Sequence, residues 1–155
     1  MIEFINYINN HKMIKPPYYC YIIASPDGRT YNGFSNNTER RIKQHCGILK
    51  GGAKYTRGRQ WSYIVIIECI DCTYPESLSV EWHIKYSTNK RPRPKEYSSP
   101  YGRINSLIKV FTNPKFIDKK FIVSVIPEYF ELLQTSCQEL SNIQIQLLEN
   151  LNIPS

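Results

Sequence analysis

Residues 18–34 read YYCYIIASPDGRTYNGF, and this stretch decides the fold of the protein. Residues 18–24 are mostly aromatic or β-branched, which is typical of a buried strand. Residues 25–28, Ser-Pro-Asp-Gly, are turn formers, and residues 29–34 return to a strand pattern. The stretch therefore predicts a β-hairpin that begins at Tyr18.

Helical and strand patterns follow the hairpin. Asn36 with Glu39 makes a capping box for a helix that should reach about Cys46, where a basic, glycine-rich loop begins. Residues 61–70, WSYIVIIECI, read as a strand that is buried on both faces and hence central.

The pattern continues with a second capping box, Thr73 with Glu76, which begins a helix that should reach about Ser87. Residues 101–111 place apolar side chains at helical spacing, and residues 121–126 form a short apolar strand. The sequence thus predicts an α/β (α+β) domain with a mixed or antiparallel sheet of three or four strands flanked by helices.

This domain should span residues 18–127. Residues 1–17 lack apolar periodicity and are predicted to be a flexible lead-in. Residues 128–155 are predicted to form a C-terminal helix, because a leucine recurs every seven residues. The leucines are Leu133, Leu140 and Leu147. Docking onto the chain's own domain and a homodimer seam both stay open for this helix.

Charge and composition narrow the function classes. Twenty Lys and Arg against thirteen Asp and Glu give a net charge of +7 on 155 residues, which favours a polyanionic partner. A hydrophobic content of 41% excludes a fully disordered basic tail. No apolar run approaches the roughly 20 residues of a membrane span, and no secretory signal pattern begins the chain. We expect an intracellular protein, in the nucleus or at a cytoplasmic viral replication site.

The five cysteines are an odd number and suit a reducing compartment better than a disulfide framework. Cys69-x-x-Cys72 supplies only two of the four ligands of a structural zinc site. Cys69 is therefore expected to be a core residue at the end of a strand.

Five polar side chains stand where the predicted elements would bring them together. Tyr21 and Tyr31 lie on the two strands of the hairpin and should be near neighbours across it. Arg41 and His45 are four residues apart and share a helix face. Glu81 lies midway along the second helix, on a side that is otherwise apolar.

Phosphodiester hydrolysis uses these residue types. One carboxylate, Glu81, together with waters and phosphate oxygens is enough to hold Mg²⁺ or Mn²⁺. The guanidinium of Arg41 fits phosphate oxygens, and Tyr21 could accept a proton from the attacking water. His45 could bridge the second tyrosine and a phosphate, or serve as a proton relay. Taken singly, each side chain also fits an ordinary packing or surface role, so only the combination indicates a nuclease.

The combination resembles the GIY-YIG nucleases. Residues 19–21, Tyr-Cys-Tyr, stand for the first motif and residues 31–33, Tyr-Asn-Gly, for the second. The family's Arg-x-x-x-His corresponds to residues 41–45, and its metal-binding glutamate to Glu81. Over residues 18–126 the chain is also similar to the catalytic subunit of the eukaryotic structure-specific endonucleases, which cut branched DNA with a scaffold partner.

The resemblance implies a role for each side chain. Tyr21 would be the general base, Tyr31 and His45 would position phosphate and water, and Arg41 would stabilise the transition state. Glu81 would hold the divalent metal. Hydrolysis by an activated water, with no covalent intermediate, is the expected mechanism.

The chain departs from the family pattern in three respects. Tyr19 replaces the glycine of the first motif, and Asn32 replaces the aliphatic residue of the second. Nothing after Ile126 supplies the ligands of the RING-type zinc domain that docks the scaffold in the eukaryotic subunit. We therefore do not expect the usual scaffold partnership.

Two basic clusters are expected to contact DNA phosphates, although basic loops are often merely solvated. Such contacts position a duplex without reading its sequence. The candidates are Lys50, Lys54, Arg57 and Arg59 in the glycine-rich loop, and Lys90, Arg91 and Arg93 beyond the helix of Glu81.

These observations predict a metal-dependent endonuclease that acts on branched DNA, such as flaps and Holliday junctions, in repair or recombination. One alternative is a sequence-tolerant nicking nuclease of a virus or mobile element. The other is a catalytically silent DNA-binding or partner-binding module of the same fold.

Overall fold

The computed structural model describes residues 17–149, together with Ile2, Glu3 and Asn6. Most of the expected lead-in therefore lies outside the described residues. The strands are β1 (Tyr19–Ala24), β2 (Thr30–Ser35), β3 (Ser62–Cys69), β4 (Phe121–Val125) and β5 (Ile143–Leu147). The helices are α1 (Thr38–His45), α2 (Tyr74–Lys85), α3 (Pro100–Asn105), α4 (Leu107–Phe111) and α5 (Pro127–Cys137).

The strands form one mixed sheet in the order β2-β1-β3-β4-β5. All neighbouring pairs are antiparallel except β4 and β5, which are parallel. β3 is the central strand, as its continuous apolar run predicted. The α/β class is confirmed, and the sheet has one strand more than expected.

The extra strand, β5, corrects the prediction of a helix over residues 128–155. The helix α5 ends at Cys137, and residues 143–147, Ile-Gln-Ile-Gln-Leu, pair with β4 instead. Apolar and polar residues alternate in this segment, which suits a strand. Leu133 is buried but Leu147 is 52% exposed, so the leucines do not form one continuous seam. Residues 150–155 lie outside the described part.

The helix starts agree closely with their capping signals. α1 is capped by Asn37, one residue after the expected Asn36, and the Asn37 side chain accepts from the Arg40 amide. α2 has the predicted capping box of Thr73 and Glu76.

The helix predicted over residues 101–111 is divided into α3 and α4 at Ser106. The Ser106 hydroxyl donates to the carbonyl of Arg103 at 2.9 Å. Such local side-chain bonds compete with regular helical bonding, so the segment bends at this residue.

Helices cover both faces of the sheet. One face packs against α2 to α5 through a core that includes Ile22, Val65, Phe111 and Phe121. The other face packs against α1 through a smaller cluster built around Tyr21, Ile42 and Trp61. The edge strand β2 therefore lies between α1 on one side and α2 on the other.

The cysteines differ in part from expectation. Cys69 is buried at the end of β3, as predicted, but it is joined to Cys72 by a disulfide. Cys20, Cys46 and Cys137 are free thiols.

No helix among the described residues has both the length and the apolar character needed to cross a membrane.

Candidate active site

The edge strand β2 carries candidate site residues on both of its faces. Tyr31 packs with the cluster beneath α1, whereas its neighbour Asn32 bonds to Glu81 of α2. We define the tyrosine face as Tyr21, Tyr31, Arg41 and His45. We define the carboxylate face as Asn32, Glu81 and Arg103. The five predicted catalytic residues are thus divided between two sides of one strand.

Gly33 makes room for the ring of Tyr21. In the hairpin, Tyr21 pairs with Gly33 and Tyr31 pairs with Ile23, so the two tyrosines share a face but are offset along it. A Cβ atom on Gly33 would overlap the Tyr21 hydroxyl and lie 2.7 Å from its Cζ atom. The glycine of the second motif is therefore required by the tyrosine of the first.

The Tyr21 hydroxyl makes hydrogen bonds to two other residues of the tyrosine face. It lies 2.7 Å from Nε2 of His45, and Nε of Arg41 donates to it at 3.1 Å. The side chain is fully buried, and burial raises the pKa of Tyr21 to about 12 although the Arg41 hydrogen bond opposes the rise. Tyr21 is therefore a neutral phenol in the resting site.

The tautomer of His45 follows from its second contact. The Thr56 hydroxyl donates to the carbonyl of Ala53 at 2.8 Å, so its oxygen accepts from Nδ1 of His45, 3.0 Å away. Nε2 is then unprotonated and accepts from Tyr21. Burial, assisted by the charge of Arg41, lowers the pKa of His45 to about 4. The imidazole is therefore neutral at physiological pH.

Two atoms of the tyrosine face are open to a substrate. Nη1 of Arg41 donates to Gln44 Oε1 and to the Gly51 carbonyl, each at 3.0 Å. Within the described part of the chain, neither Nη2 of Arg41 nor the Tyr31 hydroxyl has a hydrogen-bond partner, and both side chains are partly exposed. The guanidinium is thus held through Nε and Nη1, and Nη2 stays available to a substrate.

Glu81 is half-buried on α2 and is held at one oxygen. Its Oε1 accepts from Nδ2 of Asn32 at 2.9 Å. No described residue donates to Oε2, and the side chain is partly exposed. Burial raises the pKa of Glu81, while Lys85, Arg103 and the Asn32 hydrogen bond act against the rise. A single open carboxylate oxygen fits a hard divalent cation that keeps most of its waters.

Asn32 and Arg103 are site residues whose roles sequence reasoning missed. Nη1 of Arg103 donates to Asn32 Oδ1 at 2.8 Å, and its Nε donates to Thr30 Oγ1 at 3.0 Å. Arg103 is only 3% exposed, and burial lowers its pKa to about 9. The available signals were an asparagine where an aliphatic residue was expected and an arginine within an apolar helix.

The first basic cluster lies beside the tyrosine face. Lys50, Lys54 and Arg57 are exposed on the glycine-rich loop, which borders a cavity of about 360 Å³ next to His45. Arg59 differs, because its Nε lies 3.9 Å from Asp27 Oδ2. Three of the four predicted side chains therefore have cations that are open to phosphates.

The second basic cluster is partly engaged in contacts with α2 and the residue that follows it. The guanidinium of Arg91 lies over the rings of Trp82 and Tyr86, at 5.3 and 4.8 Å from their centroids. Arg93 is half-buried and donates to a main-chain carbonyl of α2 at 3.4 Å. Lys90 is exposed. Two of the three side chains in this cluster therefore make contacts within the protein, which the sequence did not indicate.

Tyr55 is an aromatic residue beside the site that sequence reasoning also missed. Its ring stacks on Tyr31, with centroids 6.1 Å apart and planes at 22°, and it leans on Trp61 at 6.2 Å. It is nevertheless 49% exposed. Tyr55 therefore presents an open aromatic surface next to the ring of Tyr31.

Comparison with known proteins identifies the family. Residues 17–96, more than half of the chain, match the GIY-YIG catalytic domain. A UPF0213 protein of Haloquadratum walsbyi is 39% identical over 74 residues, which cover 48% of this chain and 80% of that protein. A UPF0213 protein of Halalkalibacterium halodurans is 48% identical over 74 residues, covering 48% and 76% respectively.

A more distant kind of relative is the structure-specific endonuclease subunit slx1 of Aspergillus terreus. It is 36% identical over 73 residues, which cover 43% of this chain but only 18% of that protein. The resemblance predicted from the motifs is confirmed. The chain therefore belongs to the GIY-YIG family and is an endonuclease that hydrolyses phosphodiester bonds of DNA.

Proposed function

We propose that this endonuclease depends on a divalent metal and selects its DNA by structure, cutting branched or distorted duplexes. The observation that carries the proposal is a set of three polar atoms, on partly exposed side chains around the edge strand β2, that have no hydrogen-bond partner among the described residues. They are the Tyr31 hydroxyl, Nη2 of Arg41 and Oε2 of Glu81. Similarity to a structure-specific endonuclease subunit supports the choice of branched substrates.

The carboxylate of Glu81 would hold the metal through Oε2, with waters and phosphate oxygens as the other ligands. A bound Mg²⁺ or Mn²⁺ would stabilise charge on the phosphate and lower the pKa of a bound water. Oxygen ligands of this kind are the ones that both cations prefer.

Arg41 would bind a phosphate oxygen through Nη2. Its Nε and Nη1 are already held by Tyr21, Gln44 and Gly51, so the group is oriented before the substrate arrives. Preorganised donors of this kind stabilise charge that develops in the transition state.

The two tyrosines would have different roles. The resemblance assigns the general base to Tyr21, but its hydroxyl is buried and donates to His45. These contacts favour a role in holding Arg41 and His45. The Tyr31 side chain is partly exposed and its hydroxyl has no hydrogen-bond partner among the described residues, so Tyr31 would accept a hydrogen bond from the attacking water and orient it.

DNA would lie across the edge of the sheet. The exposed cations Lys50, Lys54 and Arg57 would contact phosphates on the side of α1, and Lys90 would do so beyond α2. Arg59, Arg91 and Arg93 would contribute less, because part of each guanidinium is already engaged.

The proposal is tested by cleavage of labelled 5′-flap, four-way-junction and plain duplex DNA, with Mg²⁺, with Mn²⁺ and with EDTA. The wild type should cut the branched substrates faster than the duplex and should cut nothing in EDTA. Glu81→Gln should bind DNA and fail to cut it. Glu131→Gln is the matched control, because Glu131 is exposed on α5.

Three outcomes would contradict the proposal. Equal rates on all three DNAs would overturn structure selection, and nicking of one strand of plain duplex would favour the nuclease of a virus or mobile element. Cleavage in EDTA would overturn metal dependence.

A further inference from the structure

We propose that Asn32 and Arg103 are a pair of positioning residues that fix Glu81 in the orientation needed to hold the divalent cation. The inference rests on the proposed metal dependence. Neither residue would touch the cation or the DNA. Their contribution is to hold one carboxylate oxygen so that the other one faces solvent.

The amide of Asn32 has a defined orientation. Arg103 can only donate hydrogen bonds, so the atom 2.8 Å from its Nη1 must be the amide oxygen of Asn32. The amide nitrogen then points at Glu81, where it donates to Oε1 at 2.9 Å and approaches the main-chain carbonyl at 3.3 Å. A flipped amide would place two donors against each other. Arg103 therefore decides which end of Asn32 meets the carboxylate.

Arg103 is itself fixed in place. Its Nε donates to Thr30 Oγ1 at 3.0 Å, and the Thr30 hydroxyl donates to the carbonyl of Ser98 at 2.7 Å. A buried guanidinium is costly unless it is fully paired. Asn32 and Thr30 both belong to β2, so Arg103 connects α3 to the strand on which the carboxylate face is built.

The pair orients Glu81 without neutralising it. In the part of the chain that the structure describes, no ion pair joins Glu81 to Arg103. Asn32 stands between them, so the guanidinium does not occupy the carboxylate oxygen that would meet a cation. The aliphatic residue of the family pattern could not provide this hydrogen bond, which gives the departure at Asn32 a physical reason.

The test measures Mn²⁺ binding to the full chain without DNA, by electron paramagnetic resonance titration of the free ion. Asn32→Val and Arg103→Met should each weaken Mn²⁺ binding about tenfold, the usual effect of losing an outer-shell partner. The Mn²⁺ concentration for half-maximal cleavage should rise by the same factor. DNA binding in EDTA should stay unchanged. The control Arg29→Met removes an exposed arginine that pairs with Asp27 and should change none of these values.

Arg103→Lys separates geometry from charge. Lysine keeps the positive charge but lacks the fork that reaches Thr30 and Asn32 together, so this variant should bind Mn²⁺ as weakly as Arg103→Met. Binding restored to the wild-type value by lysine would overturn the geometric role.

The double variant Asn32→Val/Arg103→Met is the control for loss of folding. It removes the buried charge together with its partner, so it should melt at a higher temperature than Asn32→Val alone. It should still bind Mn²⁺ about tenfold more weakly than the wild type. Wild-type Mn²⁺ affinity in the folded double variant would overturn the inference while leaving the proposed function standing. Cleavage of DNA by the wild-type protein in EDTA would overturn both this inference and the proposed metal dependence.

Discussion

The two faces of β2 are assembled from very different distances along the chain. On the tyrosine face, Tyr21 and His45 are 24 residues apart, and Arg41 lies between them in sequence. On the carboxylate face, Asn32 is 49 residues from Glu81 and 71 residues from Arg103. The tyrosine face is therefore a product of one hairpin and the helix after it. The carboxylate face exists only once α2 and α3 have packed against β2.

The two faces also treat charge differently. The tyrosine face keeps Tyr21 and His45 neutral and presents its single charge, on Arg41, to solvent. The carboxylate face buries Arg103 and leaves Oε2 of Glu81 without a hydrogen-bond donor among the described residues. Substitutions on the tyrosine face should accordingly act on turnover, whereas substitutions on the carboxylate face should act on metal binding.

The largest effect on the tyrosine face is expected for Arg41→Ala. Loss of a preorganised donor to the transition state should lower kcat by roughly 10²- to 10³-fold. Arg41→Lys should not restore the rate, because lysine cannot contact Tyr21, Gln44 and a phosphate with one fork. Single-turnover cleavage of a flap substrate measures this. Arg40→Ala, a neighbouring exposed arginine on α1, is the control, and an equal loss there would show a general effect of charge.

The two tyrosine-to-phenylalanine variants should differ in kind. Tyr31→Phe removes a hydroxyl that has no hydrogen-bond partner among the described residues, so it should lower kcat and leave the melting temperature unchanged. Tyr21→Phe leaves Nε2 of His45 buried without a partner, which should cost about 1–3 kcal/mol of unfolding free energy. Thermal melts and single-turnover rates on the same preparations distinguish them. Equal melting temperatures with a larger rate loss in Tyr21→Phe would instead favour Tyr21 as the general base.

His45 should make stability depend on pH. Its pKa falls from 6.5 to about 4 on folding, so the unfolded chain binds more protons between these values. The stabilisation is complete above pH 6.5 and is lost as the pH falls toward 4. The drop in melting temperature between pH 7 and pH 5 should be smaller in His45→Gln than in the wild type. If His83→Gln reduced the drop in melting temperature by the same amount, the pH dependence would not be specific to His45.

The effect of changing Tyr55 should fall on DNA binding alone. An exposed ring beside Tyr31 can stack on an unpaired base, which typically contributes about 1–3 kcal/mol to binding. Tyr55→Ala should therefore weaken binding to a flap more than binding to a plain duplex, and Tyr55→Phe should not. Fluorescence anisotropy with Glu81→Gln as the background measures binding without cleavage. Tyr101→Ala removes another exposed tyrosine and should leave the flap preference unchanged.

Much of the tyrosine face could be predicted from the sequence, for a physical reason. Hairpin register and helical periodicity act over a few residues, and they bring Tyr21, Tyr31, Arg41 and His45 together. Glu81 was placed through its position on a capped helix and through resemblance.

What escaped prediction depends on tertiary contacts. From the sequence alone, an arginine in an apolar helix is expected to be exposed to solvent. The hydrogen-bond partners that keep Arg103 buried lie on β2, far away in the sequence. The spacing of Leu133, Leu140 and Leu147 fitted a helix, while the alternation of residues 143–147 fitted a strand. The open edge of β4 decided between them, because β5 pairs with it.

The position of β2 at the edge of the sheet has a consequence for inactivation by heat. β2 pairs with β1 on one side and forms an end of the sheet, and edge segments open at a lower free energy than central strands. Tyr31 and Asn32 are adjacent on this strand, so one local opening event dismantles both halves of the site. The enzyme should lose activity on warming before its far-ultraviolet circular dichroism changes, and it should regain activity on cooling.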